Sequence, residues 1–229
     1  MVALRPTRAP ALGDQLAGVL RDQIVRRTLA AGTHLVEDTL AAEYDVSRGP
    51  VRDALRQLES QGLVESRRRG YFVVGLTQED IDDLYELREA IELVAVTKAM
   101  EKVTAEQVEA GRAIVQEMTE CADRSAAAEF AAADMRFHAL LYQMSGNRPL
   151  MDVWKSYEPV FASIIQLTVE EDVDLHPSAR DHGHLIDLIE GADAGALRTE
   201  LREHLDGARA RMARAVQALN ETESAGHTS

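Results

Sequence analysis

The first part of the chain shows the spacing of apolar residues that is typical of amphipathic helices. From Asp14 onward, apolar residues recur every three or four positions as far as Val25, which predicts a helix that ends near Gly32. A short second helix is expected at about 37–44. Two helices in close succession, joined by a short connection, indicate a compact helical unit.

A third helix and a hairpin follow in the stretch VSRGPVRDALRQLESQGLVESRRRGYFVVGL. Ser47 is a residue type that caps helix N-termini, and Pro50 falls in the first turn, where a proline is tolerated. Gly62 fits the C-terminal stop of this helix. The residues that follow predict two short strands joined by an arginine-rich turn next to Gly70.

The pattern changes after Gly75, where no further strand is predicted and long helical segments take over. These segments span roughly 77–101, 104–123, 125–145, 148–170, 178–190 and 193–219. The chain is therefore predicted to be mainly α, with an N-terminal winged helix-turn-helix domain (13–75) and a C-terminal all-α helical bundle (76–220). A flexible tail is expected at 1–12 and a disordered tail at 221–229.

Charge is distributed unevenly between the two predicted domains. The whole chain has a net charge of −14, which by itself argues against a nucleic-acid partner. Residues 1–75, however, contain 11 arginines and 9 acidic residues, and the acidic excess lies in the remainder. The first domain can therefore carry a local basic surface that the overall charge conceals.

Targeting signals and cysteines place few further limits on the protein. The N-terminal residues lack the apolar segment of a secretory signal, and no apolar run is long enough for a membrane span. Cys121 is the only cysteine, so an internal disulfide is impossible, which fits a reducing compartment. We expect a cytoplasmic protein with no membrane partner.

Three helices followed by a two-stranded wing are the elements of a DNA-binding winged helix. The helix that starts at Ser47 would be the recognition helix, with Arg48 and Arg52 one turn apart near its N-terminus. Their guanidinium groups can bind guanine or phosphate, and Arg68 and Arg69 on the wing can reach the duplex. The alternative is that these arginines form a solvated helix face and a charged hairpin tip.

The stretch LAAEYDVSRGPVRDALRQLESQGLVESRRRGYFV resembles the winged-helix motif of the GntR family of bacterial transcription regulators. The resemblance covers about residues 12–75 and implies binding to double-stranded operator DNA. It implies DNA-contact roles for the following residues: Ser47, Arg48, Pro50, Arg52 and Gly70. One departure is that Glu37 and Asp38 lie where some members have an arginine on the second helix.

The second predicted domain directs several potential metal ligands towards its interior. Asp134 and His138 lie one turn apart on an apolar helix face, and His204 lies on an apolar stripe of the last helix. On the helix between them, the centre of the apolar side lies ~40° from His182 and ~120° from His184, so His182 is expected to point inward. One carboxylate and three imidazoles suit a divalent transition metal, whereas the alternative is a polar core whose members satisfy one another.

The segments DMRFHALLYQMSGN, DHGHLIDLIEGAD and LREHL resemble the all-helical effector domain (FCD type) of the FadR-like branch of the GntR family. Metal-binding members have their ligands at positions that match Asp134, His138, His182 and His204 here, although the sequence DHGH leaves a choice between His182 and His184. The resemblance implies a bound divalent metal, with Zn²⁺ as the first expectation and Ni²⁺, Co²⁺, Mn²⁺ or Fe²⁺ as alternatives.

Arg88 is predicted to lie in the middle of an apolar helix face. A buried guanidinium needs a counter-charge, which either a core Asp or Glu or the carboxylate of an effector can supply. The second possibility makes Arg88 a candidate effector-binding residue.

These observations predict a ligand-responsive transcription regulator rather than an enzyme, expected to be a homodimeric repressor with a small carboxylate effector. Dimerisation is expected because winged-helix and related proteins read paired half-sites. Two alternatives remain: a metal-ion sensor with no organic effector, distinguished by operator affinity that tracks the metal alone, and a metal-dependent enzyme in a helical bundle, distinguished by turnover.

Overall fold

The computed structural model describes residues 11–226 of the 229-residue chain, with side chains described to residue 217. The chain divides between Leu76 and Thr77 into two compact units, each with its own core. The first unit contains three helices and a small sheet, and the second consists of six helices in the part of the chain that is described. The predicted fold class is confirmed.

The helices of the first unit are α1 (Leu12–Val25), α2 (Glu37–Glu43) and α3 (Arg48–Ser60). Apolar residues at helical spacing on α1 and α3 contribute the following large side chains to its core: Leu16, Leu20, Ile24, Val51, Leu55 and Leu58. The prediction that α1 extends to Gly32 is wrong. Arg27 adopts a left-handed conformation with φ of 59°, and the amide of Leu29 then donates to the carbonyl of Gln23, so the helix ends at Val25.

The sheet of the first unit has three antiparallel strands in the order β1-β3-β2: β1 (His34–Leu35), β2 (Val64–Arg67) and β3 (Gly70–Val73). The last two form the predicted hairpin. The first strand was not predicted, because two residues are too few to produce an alternating pattern. It pairs His34 with Phe72 and Leu35 with Tyr71, and Leu35 is buried.

The six helices of the second unit are α4 (Gln78–Met100), α5 (Ala105–Asp123), α6 (Ala127–Ser145), α7 (Arg148–Glu170), α8 (His176–Gly191) and α9 (Ala194–Gly226). Two of them begin with capping boxes, in which Thr77 pairs with Asp80 and Thr104 with Gln107. Each box satisfies amides that have no partner inside the helix, and so sets where the helix starts.

The chain termini differ in part from the prediction. Of the predicted N-terminal tail, residues 1–10 lie outside the described residues, and Leu12 already belongs to α1. The last helix extends to Gly226, through much of the predicted disordered tail, and 227–229 lie outside the description. The sequence between 220 and 226 contains no proline, and a helix can continue because it satisfies its backbone hydrogen bonds internally.

Two hydrophobic clusters that share α6 form much of the core of the second unit in the described part of the chain. Phe130 belongs to one cluster, with Trp154 and Phe161, whereas Phe137 belongs to the other. Asp134 and His138 lie on the same helix and are also buried. Within the described residues, no helix combines the length and apolar character that a bilayer span requires.

The helices α5 and α8 pack closely at Gly111. A Cβ atom there would lie 2.5 Å from Ile186 Cδ1 on α8, so any larger residue would require Ile186 to move.

Candidate functional site

The predicted recognition helix begins where the sequence places it, with Ser47 at the N-cap position in an extended conformation. The Ser47 side chain makes no capping hydrogen bond, however, so the position is as predicted while the capping bond is not formed. Pro50 lies in the first turn of α3. Its backbone is close to α1, since a Cβ atom at Gly13 would lie 3.3 Å from the Pro50 carbonyl oxygen.

Two exposed arginines near the start of α3 form ion pairs with α2. Arg48 Nε contacts Asp38 Oδ1, and Arg52 Nε lies 2.7 Å from Glu37 Oε2. The same two carboxylates are the departure from the family pattern noted in the sequence. They hold each guanidinium through Nε, whereas bidentate contacts to bases and phosphates can use the terminal nitrogens.

The wing presents exposed Arg68 and Arg69 in the turn between β2 and β3. Gly70 follows with a φ of 123°, a conformation that favours glycine, and a Cβ atom there would lie 2.9 Å from His34 Nε2. The same His34 nitrogen lies 2.9 Å from the Arg69 carbonyl oxygen. Gly70 therefore allows β1 to pack closely against the wing, whatever its role towards DNA.

The four predicted metal ligands come together inside the helical unit. Asp134 and His138 extend from α6, His182 from α8 and His204 from α9, and all four are buried. Ligand nitrogens of the three histidines lie within 4.8 Å of one another. Asp134 adjoins two of them, with Oδ1 3.2 Å from His182 Nε2 and Oδ2 3.7 Å from His138 Nε2.

Each of these four side chains has one buried polar atom with no hydrogen-bond partner among the described residues. The atoms are Asp134 Oδ2, His138 Nε2, His182 Nε2 and His204 Nδ1. Burying a polar atom without a partner is unfavourable, and four such atoms on three helices are an exception in a folded protein. The three imidazole nitrogens lie close enough together to share one divalent cation, and the Asp134 carboxylate adjoins two of them, so the donor types fit a metal of the zinc class.

Neighbouring groups orient two of the imidazoles. His182 Nδ1 donates to the Ser178 carbonyl oxygen at 2.6 Å, which leaves Nε2 facing the cluster. His138 Nδ1 lies 3.1 Å from Glu92 Oε2 on α4. In both residues Nε2 is the nitrogen that faces the cluster.

The pKa shifts of His138, His204 and Asp134 favour the forms that bind metals. Desolvation and the nearby Arg88 charge lower the pKa of His138, and desolvation and the neighbouring imidazoles lower the pKa of His204 well below its ordinary value. Burial opposes ionisation of Asp134, but its contacts with His182 and His138 outweigh this effect and lower its pKa. Neutral imidazoles and an ionised carboxylate are the forms that bind metals.

His182 and His184, between which the sequence left a choice, have different environments in the structure. His182 is fully buried in the cluster, whereas the His184 side chain is 64% exposed and lies 3.7 Å from Glu200 Oε1. The helical geometry of α8 accounts for this, since residues two apart point to different faces.

Arg88 is buried, and its guanidinium has both a core carboxylate as a partner and a nitrogen that is free to donate to another. Its Nε donates to Glu92 Oε1 at 2.8 Å, which is a structural pair with a core glutamate. Its Nη2 is buried with no hydrogen-bond partner in the described part of the chain. A small cavity of about 20 Å³ is lined by Arg88 together with Asp134 and His204, so Arg88 lies beside two of the candidate ligands.

Glu92 is the functional candidate that the sequence analysis missed. It is fully buried and joins Arg88 to His138. Burial would raise its pKa, but its contacts with His138 and Arg88 outweigh this effect and lower it to about 2. The available signal was its position four residues after Arg88, which places both on one helix face.

Comparison with known protein families accounts for both units. The model of the "Bacterial regulatory proteins, gntR family" matches residues 12–74, and that of the "FCD domain" matches residues 83–207, more than half of the chain. The chain belongs to the GntR family. It is a transcription regulator of the GntR/FCD type, and the predictions of a DNA-binding regulator rather than an enzyme are confirmed.

Individual GntR proteins resemble the chain over most of its length. The "Gluconate operon transcriptional repressor" of Bacillus subtilis (strain 168) is 30% identical over 200 residues, which are 85% of this chain and 82% of that protein. A solved structure described as a transcriptional regulator (GntR family member) from Pseudomonas syringae pv. tomato str. DC3000 is 25% identical, with a TM-score of 0.55, and covers 96% of this chain and 90% of its own. E. coli McbR/YncC shares the fold with a TM-score of 0.70 at 19% identity, over 93% of this chain and 99% of its own.

Proposed function

We propose that this GntR-family regulator is a cytoplasmic homodimeric repressor whose FCD domain binds a divalent metal and a small carboxylate effector. The observation that carries the proposal is the set of four buried, unpartnered ligand atoms next to the unpartnered end of Arg88. Effector binding can shift operator affinity by at most the difference between the effector's binding free energies for the two conformations.

The DNA-reading part of the proposal rests on the start of α3 and on the wing. The residues proposed to contact the operator are Ser47, Arg48, Pro50, Arg52, Arg68, Arg69 and Gly70. Arg48 and Arg52 are exposed at the helix end that enters the major groove in helix-turn-helix proteins. Two copies of such a head fit the two halves of a palindromic operator, which supports a homodimer.

The metal part of the proposal assigns Asp134, His138, His182 and His204 as ligands. A nitrogen-rich set with one carboxylate suits Zn²⁺ first, and also Ni²⁺, Co²⁺, Mn²⁺ or Fe²⁺. When bound, the metal would act as a Lewis acid for carboxylate oxygens. Glu92 and the Ser178 carbonyl keep two of the imidazoles in the orientation that this requires.

The effector part of the proposal assigns Arg88 to the carboxylate. Its Nε is held by Glu92, which fixes the guanidinium, and its buried Nη2 needs an acceptor. A carboxylate entering the cavity beside Arg88 would supply that acceptor. The Bacillus subtilis relative is named for the gluconate operon and as a repressor, which supports both a carboxylic acid and repression.

A thermal-shift screen tests the proposal. Small organic acids are added to the purified protein, as isolated and after chelator treatment, and metal content is measured by mass spectrometry. A ligand at 100 times its Kd adds about 2.7 kcal/mol to the free energy of unfolding, which gives a clear rise in Tm. We expect one class of acid to stabilise the metal-loaded protein and the chelator to abolish the effect.

His182→Gln and His184→Gln form a matched pair for this screen. They lie two residues apart on α8, but only His182 is in the cluster. We expect His182→Gln to lose the metal and the response to acids, and His184→Gln to keep both. Equal metal content in the two variants would refute the assignment of ligands.

The metal-sensor alternative is tested with operator DNA selected from random duplexes. Operator affinity is measured across free Zn²⁺ concentrations with no organic acid present. Affinity that tracks Zn²⁺ alone, with no further response to any acid, would favour the sensor over the effector-binding regulator.

A further inference from the structure

A histidine on the first strand of the sheet reaches across to the tip of the wing. Because a carbonyl oxygen can only accept, the Nε2 atom of His34 donates to the carbonyl oxygen of Arg69, at 2.9 Å. The imidazole also stacks on the ring of Phe72, with centroids 4.5 Å apart and planes 10° from parallel. Both contacts hold an exposed side chain against the hairpin of β2 and β3, so His34 braces this hairpin from outside.

The tip of the wing lies beyond the strand pairing. The ladder between β2 and β3 ends at the pair formed by Arg67 and Gly70, so Arg68 and Arg69 close the turn outside it. A two-stranded hairpin is only marginally stable by itself, and a third strand stabilises it. Here that strand is β1, which is two residues long and pairs with β3 before the turn is reached. The hydrogen bond from His34 extends this support to the turn itself.

The arginines at the tip differ in their partners. Arg67 lies over the Phe72 ring, with Cζ 4.9 Å from the ring centroid, and its Nε donates to Glu65 Oε1 at 2.8 Å. Arg68 and Arg69 are exposed and form no ion pair with any residue that the structure describes. Their guanidinium groups are therefore available to the duplex, and the backbone that carries them is the segment that the histidine holds.

We propose that His34 is a positioning residue for DNA binding, whose hydrogen bond to Arg69 holds the wing turn in the conformation from which Arg68 and Arg69 reach the duplex. Without this bond the turn would have to be ordered on binding, which costs conformational entropy, and the two arginines would contact DNA for only part of the time. The histidine acts through the wing without touching DNA itself. The inference rests on the proposed operator contacts of Arg68 and Arg69, and adds the residue that positions them.

Two substitutions of His34 separate the hydrogen bond from the stacking. His34→Phe keeps a flat ring against Phe72 but has no donor for the carbonyl, whereas His34→Gln keeps an amide donor and loses the ring. Fluorescence anisotropy with the selected operator measures the affinity of the full chain. We expect His34→Phe to weaken binding about three- to tenfold, the contribution of one hydrogen bond, and His34→Gln to restore most of this loss. Equal losses in the two variants would overturn the role of the hydrogen bond.

The salt dependence of binding is a readout that a loss of stability alone would not change. The slope of log K against log salt falls by about 0.9 for each phosphate contact that is lost. We expect a smaller slope for His34→Phe than for the wild type, and the wild-type slope for His34→Gln. Weaker binding by His34→Phe with an unchanged slope would place its effect outside the wing and overturn the inference.

Thr33→Val is the matched control on the neighbouring residue. The Thr33 hydroxyl donates to the Ala30 carbonyl at 2.6 Å, within the turn that precedes β1, and makes no bond to the wing. We expect the wild-type operator affinity and salt slope for this variant, and unchanged Tm values establish that all the variants are folded. Equal weakening by Thr33→Val and His34→Phe would show that the effect is not specific to the bond with Arg69.

A double-mutant cycle separates this inference from the proposed wing contacts. In the Arg68→Ala/Arg69→Ala background, His34→Phe should cause no further loss, because its effect passes through those two side chains. A loss of the same size in both backgrounds would overturn the inference. If the double arginine variant by itself leaves affinity and salt slope unchanged, the proposed wing contacts fail and the inference fails with them. If it weakens binding and His34→Phe does not, the wing contacts stand and the role of His34 is refuted.

Discussion

Glu92 Oε2 lies 3.1 Å from His138 Nδ1 inside the helical bundle, and the same carboxylate accepts a hydrogen bond from Arg88 Nε at 2.8 Å. One glutamate thus connects a proposed metal ligand to the proposed effector-binding arginine. Effector binding at Arg88 and metal binding at His138 are therefore expected to influence each other.

The first prediction concerns Glu92→Gln, which we expect to lower metal affinity 10- to 100-fold. Groups that orient a ligating histidine typically contribute this much, and an amide is a weaker acceptor for Nδ1–H than a carboxylate. Affinity is measured by competition with a chromophoric chelator, and circular dichroism establishes that the variant is folded.

Arg88→Gln is the control for that prediction. It also breaks the buried ion pair, but leaves Glu92 bonded to His138. Both variants are expected to be less stable than the wild type, by about 3–5 kcal/mol at most, because each leaves a buried charge unpaired. If they lower metal affinity equally, Glu92 does not act through His138.

The second prediction concerns the stability of the chelator-treated protein in acid. Desolvation lowers the pKa of His204 in the folded state, whereas in the unfolded chain the histidine has its ordinary value near 6.5. Below that pH the unfolded state binds more protons, so the free energy of unfolding falls as pH falls, by up to ~1.4 kcal/mol per pH unit for this group.

The His204→Leu variant isolates that contribution. Urea denaturation of both proteins between pH 5 and pH 8 should give a smaller pH dependence for the variant, because it has no imidazole to protonate on unfolding. Identical slopes for the two chelator-treated proteins would show that His204 is not held neutral in the fold.

Most of the fold could be predicted from the sequence, because long helices repeat their apolar spacing many times. The two-residue strand His34–Leu35 produced no such pattern, and the end of α1 depends on a left-handed Arg27 that no periodicity indicates. The four proposed ligand positions followed from helix faces and from family resemblance. The connection through Glu92 required the packing of α4 against α6, which is a tertiary contact.

The third prediction concerns the recognition helix. Arg48→Ala and Arg52→Ala should each weaken operator binding by about 1–3 kcal/mol if the side chains contact bases. Fluorescence anisotropy with the selected operator measures the change, and Arg56→Ala, another turn along α3, is the comparison. Unchanged operator affinity in both variants would remove α3 from the DNA interface.

The fourth prediction concerns the ion pairs that hold those arginines. Glu37 and Asp38 form ion pairs with Arg52 and Arg48, and as carboxylates they repel phosphates. The double variant Glu37→Gln/Asp38→Asn should therefore bind non-specific DNA more tightly. The slope of log K against log salt should also become steeper, by about 0.9 for each additional phosphate contact.

Glu43→Gln is the matched control, since Glu43 is exposed at the other end of the same short helix. It removes one negative charge without affecting either pair, and we expect little change in the salt slope. If the pairs contribute to selectivity, the double variant should gain more for non-specific DNA than for the operator. An equal gain on both would mean that the carboxylates act only through overall charge, and that the pairs contribute nothing to selectivity.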